Sequence, residues 1–225
     1  MSEIIKKNIP VKANISKLLE ILAIHEIEEK ESLMALVEEA QGIVNAKAIY
    51  KQSVIRDIKD DIVFIDGISF KSSILAYNLK GIKQVFPFVI TAGLELEKWA
   101  QSFNSVLEQY WLIKIQESLL QEAVTYIFAE IEEKYNKEKM ATMSPGTIEE
   151  WPISGQKQLF ELIKDIDKKI AVNLTDAYIM SPAKSLSGIS FVNNYSYQNC
   201  KLCTRCNCPD RRADYDAGIK KLIGK

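Results

Sequence analysis

Four cysteines lie close together near the C-terminal end of the sequence, as Cys200, Cys203, Cys206 and Cys208. Thiolate sulfur is a soft ligand for zinc and iron–sulfur clusters, so this density of cysteines predicts metal ligation. The gaps of two residues favour a loop around an iron–sulfur cluster, whereas structural zinc sites usually join two separated ligand pairs. An iron–sulfur cluster, zinc, and free or redox-active thiols all stay open.

Three arginines accompany these cysteines, at Arg205, Arg211 and Arg212. Their guanidinium groups are suited to offset the negative charge of a thiolate site, although a solvated basic tail would have the same composition. The change in character divides the chain into a body over residues 1–195 and a cysteine-rich appendage over residues 196–225.

Other chemistry-bearing patterns are scarce. His25 is the only histidine, which excludes a multi-histidine metal centre, and its position between Ile24 and Glu26 favours a structural role. The sequence contains neither a P-loop nor a dinucleotide-binding fingerprint. No catalytic residue is therefore assigned from these patterns.

Composition limits the kind of partner. The chain has 225 residues, of which 47% are hydrophobic, enough for one domain with a substantial core. Its 29 basic and 30 acidic residues nearly cancel, so no net field attracts nucleic acid or an anionic membrane. A partner must be recognised through local contacts.

The cytoplasm is the predicted location. The first ten residues, MSEIIKKNIP, lack the apolar core of a secretory signal, and no apolar run approaches the roughly 20 residues of a membrane span. Cysteines in that compartment stay reduced, which again favours ligation over a disulfide framework.

Helix and strand patterns alternate through the N-terminal half. We predict a strand near residues 4–9, a helix capped by Asn14, a helix over residues 33–43, a strand over residues 48–58, a turn at Asp60 and Asp61, a hairpin at Asp66-Gly67, and a helix over residues 71–78.

The C-terminal half contains longer apolar repeats. We predict a buried strand over residues 85–90, one or two long helices over residues 94–139, a loop over residues 142–151, a helix capped by Ser154, and strands at residues 177–180 and 188–192. The strands and helices do not follow a regular βαβ order, which favours an α+β fold.

Two separated motifs carry a family resemblance. The run ATMSPGTIEEWPISGQKQLFELI, followed by LTDAYIMSPAKSLSGI, resembles the paired signature of the reactivation (activation) domain of cobalamin-dependent methionine synthase and its stand-alone relatives. The upstream runs FVITAGLELEKW and QESLLQEAVTYIFAEIEE are similar to further segments of that family. The resemblance covers most of residues 85–192.

The resemblance implies a twisted, largely antiparallel sheet with packed helices, which binds S-adenosylmethionine in a shallow groove and docks on a corrinoid protein. Such a domain restores methylcobalamin after the cobalt has been oxidised: a reductant supplies one electron and S-adenosylmethionine supplies the methyl group. The implied partners are a corrinoid protein or cobalamin-dependent methyltransferase, which carries the cobalamin, and an electron donor.

Site residues also follow from the resemblance. Ser144, Pro145 and Gly146, hereafter the Ser-Pro-Gly turn, match the loop whose backbone contacts the nucleoside. Glu122 matches a carboxylate suited to the ligand's amino group, and Tyr195 or Tyr197 matches a later aromatic residue.

Two positions depart from the family pattern. The family's loop usually begins with arginine and ends with tyrosine, whereas this chain has Thr142 and Thr147. An arginine can bind the methionyl carboxylate through two charge-assisted hydrogen bonds, which threonine cannot reproduce.

Three hypotheses follow. The first is a reactivating accessory protein that binds S-adenosylmethionine, associated with a methyltransferase whether or not it is itself an enzyme. The second is a non-methylating docking or electron-transfer partner of a corrinoid protein, with an iron–sulfur cluster on the cysteines. The third is a scaffold protein with a structural zinc ion.

Overall fold

The computed structural model describes residues 3–136, 140–192, 197–205, 207–208 and 211–218. Ten strands are found in this part of the chain. They are β1 (Ile4–Lys6), β2 (Lys47–Tyr50), β3 (Ser53–Lys59), β4 (Ile62–Ile65), β5 (Ile68–Lys71), β6 (Gln84–Thr91), β7 (Met140–Met143), β8 (Asn173–Leu174), β9 (Met180–Ser181) and β10 (Ser185–Val192).

Seven α-helices accompany these strands in the described residues. They are α1 (Ile15–Ile21), α2 (Ile27–Ile43), α3 (Ser73–Asn78), α4 (Leu94–Gln101), α5 (Val106–Tyr135), α6 (Gln156–Leu162) and α7 (Ile166–Ile170).

The main sheet is built around β6, and all its strand pairs are antiparallel. On one side β6 pairs with β10, which pairs in turn with the edge strand β7. On the other side it pairs with β2, followed by β1, and near its beginning with β3, which continues into β4 and β5. The predicted α+β fold with a mainly antiparallel sheet is confirmed.

Helices cover both faces because β6 is apolar on both. Phe86, Phe88 and Ile90 face α5 in one buried cluster, which adjoins a second cluster with α1, α2 and α4. On the other face, Val85 packs with α3 and α6, and Val89 packs with α7. A strand buried on both faces reads as a continuous apolar run, as this sequence does.

Several local predictions are confirmed in detail. Asn14 caps α1, with its Oδ1 accepting a hydrogen bond from the Lys17 amide at 3.0 Å. Asp66 and Gly67 join β4 to β5 with φ angles of 45° and 88°, the left-handed values that a two-residue hairpin turn requires. The tract from residue 94 forms two helices, α4 and α5.

Other local predictions were wrong. The residue before α6 is Gly155, and a short 3₁₀ turn occupies Ile153–Gly155, so Ser154 does not cap the helix. Residues 177–180 are mostly a turn, in which Tyr178 has a φ of 60°. The predicted loop begins inside a strand, because Thr142 and Met143 belong to β7.

In the part of the chain that the structure describes, no helix is both long and apolar enough to cross a lipid bilayer.

Candidate functional site

The two motifs of the sequence are neighbours in the sheet. β7 leads directly into the Ser-Pro-Gly turn, and β10 contains the second motif's SLSGI run. Met143 lies opposite Ile189, and Thr142 lies opposite Ser190. Segments far apart along the chain are thus joined by backbone hydrogen bonds at one edge of the sheet.

The Ser-Pro-Gly turn is closed by its own hydrogen bonds. The Gly146 amide donates to the Trp151 carbonyl at 2.8 Å, and Gly146 has a φ of 82°, in the left-handed region that favours glycine. The Thr147 hydroxyl and amide both donate to the Ser144 carbonyl, at 2.6 and 3.3 Å. Ser144 and Pro145 are buried while Gly146 is exposed, so the turn offers a fixed backbone edge.

Gly188 allows this turn to approach β10. A Cβ atom at this position would lie 2.4 Å from the Met143 carbonyl oxygen and 2.8 Å from Ser144 Oγ. Any side chain would therefore push β7 and the turn away from β10. Gly188 was not among the predicted site residues, although a glycine inside an apolar strand is a signal for such close approach.

Thr142 and the strand residues beside it point to opposite faces of the sheet. Ala141 and Met143 belong to the buried cluster under α3 and α6, so alternation directs Thr142 and Met140 toward the α5 face. The chain has four arginines, at 56, 205, 211 and 212, and none lies on β7 or β10. Neither strand of this edge therefore offers a guanidinium for a bidentate contact with a carboxylate.

Glu122 lies on α5. It belongs to the row of Ser118, Tyr126 and Glu130, each four residues apart. Ser118 accepts a hydrogen bond from the Asn14 amide, and Glu130 forms an ion pair with Lys6 of β1 at 2.9 Å. Glu122 itself is half-buried, and its role in holding a ligand stays a prediction.

Tyr197 lies on the face opposite Thr142. Its ring packs against Phe191 at 6.2 Å between centroids, and its hydroxyl donates to Asn199 Oδ1 at 2.5 Å. Burial raises the pKa of Tyr197, and the nearby charges of Glu150 and Cys200 raise it further. The ring is partly buried against the core, and a ligand-binding role for Tyr197 stays a prediction. The alternative, Tyr195, lies outside the described residues.

A cleft of about 350 Å³ lies between the start of α3 and the segment that follows the Ser-Pro-Gly turn. Trp151 and Phe70, in an edge-to-face contact at 6.5 Å, line the cleft together with Lys71, Glu150 and Gln158. A Cβ atom on Gly155 would lie 2.4 Å from the Trp151 indole nitrogen, so the Gly155 backbone covers this ring.

The cysteine segment, meaning residues 197–218 as far as they are described, packs on the body. Leu202 is 3% exposed and belongs to the cluster that contains Trp151 and Met143. Cys200, Cys203 and Cys208 are half-buried free thiols, while Cys206 lies outside the described residues. Among the described residues, no three cysteine, histidine or acidic side chains already form a metal-binding group. Metal ligation by these cysteines stays a prediction.

The fold is an antiparallel sheet covered by helices on both faces, with the two motifs paired at one edge. No family model matches the chain, and no curated protein matches it in sequence. Among solved structures, it is similar to the crystal structure of the MetH reactivation domain bound to AdoHcy. The TM-score is 0.61 at 15% identity, over 86% of this chain and 80% of that chain. This chain has the fold of a MetH reactivation domain, as its sequence predicted.

Proposed function

We propose that this chain is an accessory protein of corrinoid-dependent methyl transfer, which binds S-adenosylmethionine beside the Ser-Pro-Gly turn and supports reactivation of an oxidised corrinoid on a partner protein. The observation that carries the proposal is the pairing of β7 with β10, which joins the two motifs in a fold whose solved counterpart was crystallised with AdoHcy. AdoHcy is what remains of S-adenosylmethionine after it has donated its methyl group.

The chain's own residues suggest how the ligand would be held. The closed turn presents the backbone of Pro145 and Gly146 as a rigid edge, and glycine at 146 leaves space for a nucleoside to approach. Gly188 fixes the distance between this edge and β10. A bound S-adenosylmethionine would supply the methyl group, and the partner's reduced cobalt would accept it.

Thr142 sets the expected strength of binding. Without an arginine at this position, the methionyl carboxylate loses a charge-assisted pair of hydrogen bonds, which contribute about 1.5–3 kcal/mol each. We therefore expect weaker binding than in a site that has the arginine, with part of the affinity supplied by the corrinoid partner.

Isothermal titration calorimetry of the purified protein with S-adenosylmethionine and with AdoHcy tests the proposal. We expect saturable binding of both ligands, strengthened when the corrinoid protein is present. Absence of heat at millimolar ligand, with and without the corrinoid protein, would exclude the methyl-donor site.

A second candidate function follows from the threonine at position 142 and from the cysteines. In this alternative, the chain docks on a corrinoid protein and supplies an electron through an iron–sulfur cluster, without methylation. It predicts a reducible chromophore that is lost in Cys203→Ser. Reactivation that depends strictly on S-adenosylmethionine, by an iron-free protein, would exclude it. A structural zinc ion on a scaffold protein is the third possibility.

A further inference from the structure

The cysteine segment is organised around one side chain. The guanidinium of Arg211 donates hydrogen bonds to four backbone carbonyls: those of Cys200 at 3.1 Å and of Cys203, Arg205 and Ala213 at 2.8 Å each. A planar guanidinium imposes directions on its partners, so one residue fixes the path of the backbone through two cysteines.

We propose that Cys200, Cys203 and Cys208 form a thiolate site for a soft divalent metal ion such as Zn²⁺, with Arg211 as the positioning residue. The site lies in the cysteine segment and involves none of the Ser-Pro-Gly turn. It is therefore independent of S-adenosylmethionine binding and of the reactivation role.

The backbone geometry brings the three cysteines toward one another. Cys200 and Cys203 are the ends of a tight turn, in which the Cys203 amide donates to the Cys200 carbonyl at 3.3 Å. A turn of this type holds its first and last Cα atoms within about 7 Å, a separation that two ligands of one ion can bridge.

The third cysteine is tied to the same place by its neighbours. The Arg211 amide donates to the Cys208 carbonyl at 3.1 Å, and the next amide, that of Arg212, donates to the Cys200 sulfur at 3.3 Å. An N–H group directed at a sulfur stabilises the thiolate form, which is the form that binds metals.

The segment is also attached to the rest of the protein. Leu202, inside the tight turn, is buried in a core cluster against which the partly buried Tyr197 packs. The Asp216 amide donates to the Lys201 carbonyl at 2.7 Å. These contacts hold the backbone of the segment against the body. Metal binding would turn the three sulfurs toward one ion and so assemble a metal-binding group that the described side chains do not already form.

Cobalt titration of the full chain tests the site. The protein is purified without oxygen, analysed for zinc, iron and sulfide, stripped with a chelator, and titrated with Co²⁺ under a reductant. We expect one Co²⁺ per chain with a thiolate-to-cobalt charge-transfer band, which Zn²⁺ abolishes by displacement. Cys203→Ser and Cys208→Ser should each lose the band while keeping the fold, because Arg211 bonds to carbonyls and not to thiols.

The positioning role has its own variants. Arg211→Gln should weaken Co²⁺ binding by about 10- to 100-fold, the usual effect of removing an outer-shell partner. Arg205→Gln is the matched control, because Arg205 accepts a hydrogen bond from Arg211 only through its backbone carbonyl. This variant should bind Co²⁺ as tightly as the original protein does. Unchanged binding in both serine variants would overturn the site, and unchanged binding in Arg211→Gln would overturn the role of Arg211. Iron with inorganic sulfide in the purified protein would also overturn the site for a single ion, because a cluster would then occupy the cysteines.

Discussion

At the scale of single residues, Gly188 decides whether the two motifs can lie side by side. In Gly188→Ala the new methyl group would lie 2.4 Å from the Met143 carbonyl oxygen. The backbone must move to admit it, so we expect a loss of about 1–3 kcal/mol in the free energy of unfolding. Urea denaturation measures this loss.

Gly42→Ala is the matched control. Gly42 lies in α2, and a Cβ atom there would meet nothing within 4 Å. Alanine in a helix is more stable than glycine by about 0.5–1 kcal/mol, so this variant should gain stability. Equal losses in both variants would mean that the close approach at Gly188 does not matter.

Thr142 offers a test through gained affinity. If this position faces the methionyl carboxylate, Thr142→Arg should tighten binding of S-adenosylmethionine by about 10- to 100-fold, as expected for a charge-assisted pair. Calorimetric titration measures the change. Thr125→Arg, on the exposed surface of α5, controls for added charge. Equal affinities in the two variants would contradict the assigned orientation of the ligand.

Some of these residues could be predicted from the sequence and others could not. The Ser-Pro-Gly turn was predictable because a recognisable motif and local turn chemistry coincide in it. The pairing of the two motifs across β7 and β10 was not, because it depends on the strand order β7-β10-β6-β2-β1. The four hydrogen bonds of the Arg211 guanidinium could not be predicted either, because their acceptors are main-chain carbonyls, which every residue has.

At the scale of elements, Ser72 links α3 to the segment that follows the Ser-Pro-Gly turn. Its hydroxyl accepts from the Leu75 amide at 3.2 Å, capping α3, and donates to the Glu150 carbonyl at 2.9 Å. The first bond is buried and the second is partly buried, so Ser72→Ala should cost about 1–2 kcal/mol. Thermal or urea unfolding measures the cost.

Ser105 provides the comparison for Ser72. It caps α5 at an exposed site, with a longer hydrogen bond of 3.4 Å to the Glu108 amide. Ser105→Ala should therefore cost only about 0.5 kcal/mol, at the low end for caps. A cost for Ser72→Ala no larger than this would show that the Glu150 contact contributes nothing.

Glu130 links α5 to the β1–β2 edge. Burial alone would raise its pKa, but hydrogen bonds from Tyr50 and Lys6 outweigh burial and lower the pKa below its ordinary value of 4.5. A lowered carboxyl pKa stabilises the fold fully above about pH 4.5, and this contribution is lost as pH falls through the folded-state pKa. Glu130→Gln should lower the free energy of unfolding by about 1–2 kcal/mol at neutral pH, and it should make that free energy less dependent on pH in the acid range.

Denaturant unfolding at a series of pH values from neutral to acid checks this link. Glu133→Gln, an exposed change on the same helix, should keep the original pH profile. If the free energy of unfolding of Glu130→Gln changed with pH in parallel with that of the original protein, the proposed contribution of the Glu130 carboxylate would be contradicted.

The boundaries of helices were harder to predict from the sequence than the helices themselves. The periodicity of residues 94–139 predicted α4 and α5 because apolar positions repeat over many turns. The sequence also predicted a helix that begins at Gln156, as α6 does, but it did not predict the break before α7 or the end of α7. At these two points Asp165 and Ala171 adopt left-handed φ angles of 56° and 59°. Tertiary contacts impose these local conformations.

At the scale of the whole molecule, the sheet carries two candidate sites. One is the β7–β10 edge with the Ser-Pro-Gly turn, and the other is the cysteine segment, which packs on the opposite face through Leu202 and Tyr197. The fold was predictable because the family resemblance was specific. The placement of the cysteine segment on the body was not, because a few buried side chains determine it.

The central claim is that this chain enables methyl transfer from S-adenosylmethionine to a partner's corrinoid. The most direct measurement follows S-adenosylmethionine labelled in its methyl group, mixed with a cob(II)alamin-containing corrinoid protein and a one-electron reductant, with and without this chain. We predict labelled methylcobalamin and an equal amount of AdoHcy only when the chain is present. Equal labelling in its absence, or no labelling in its presence, would contradict the account.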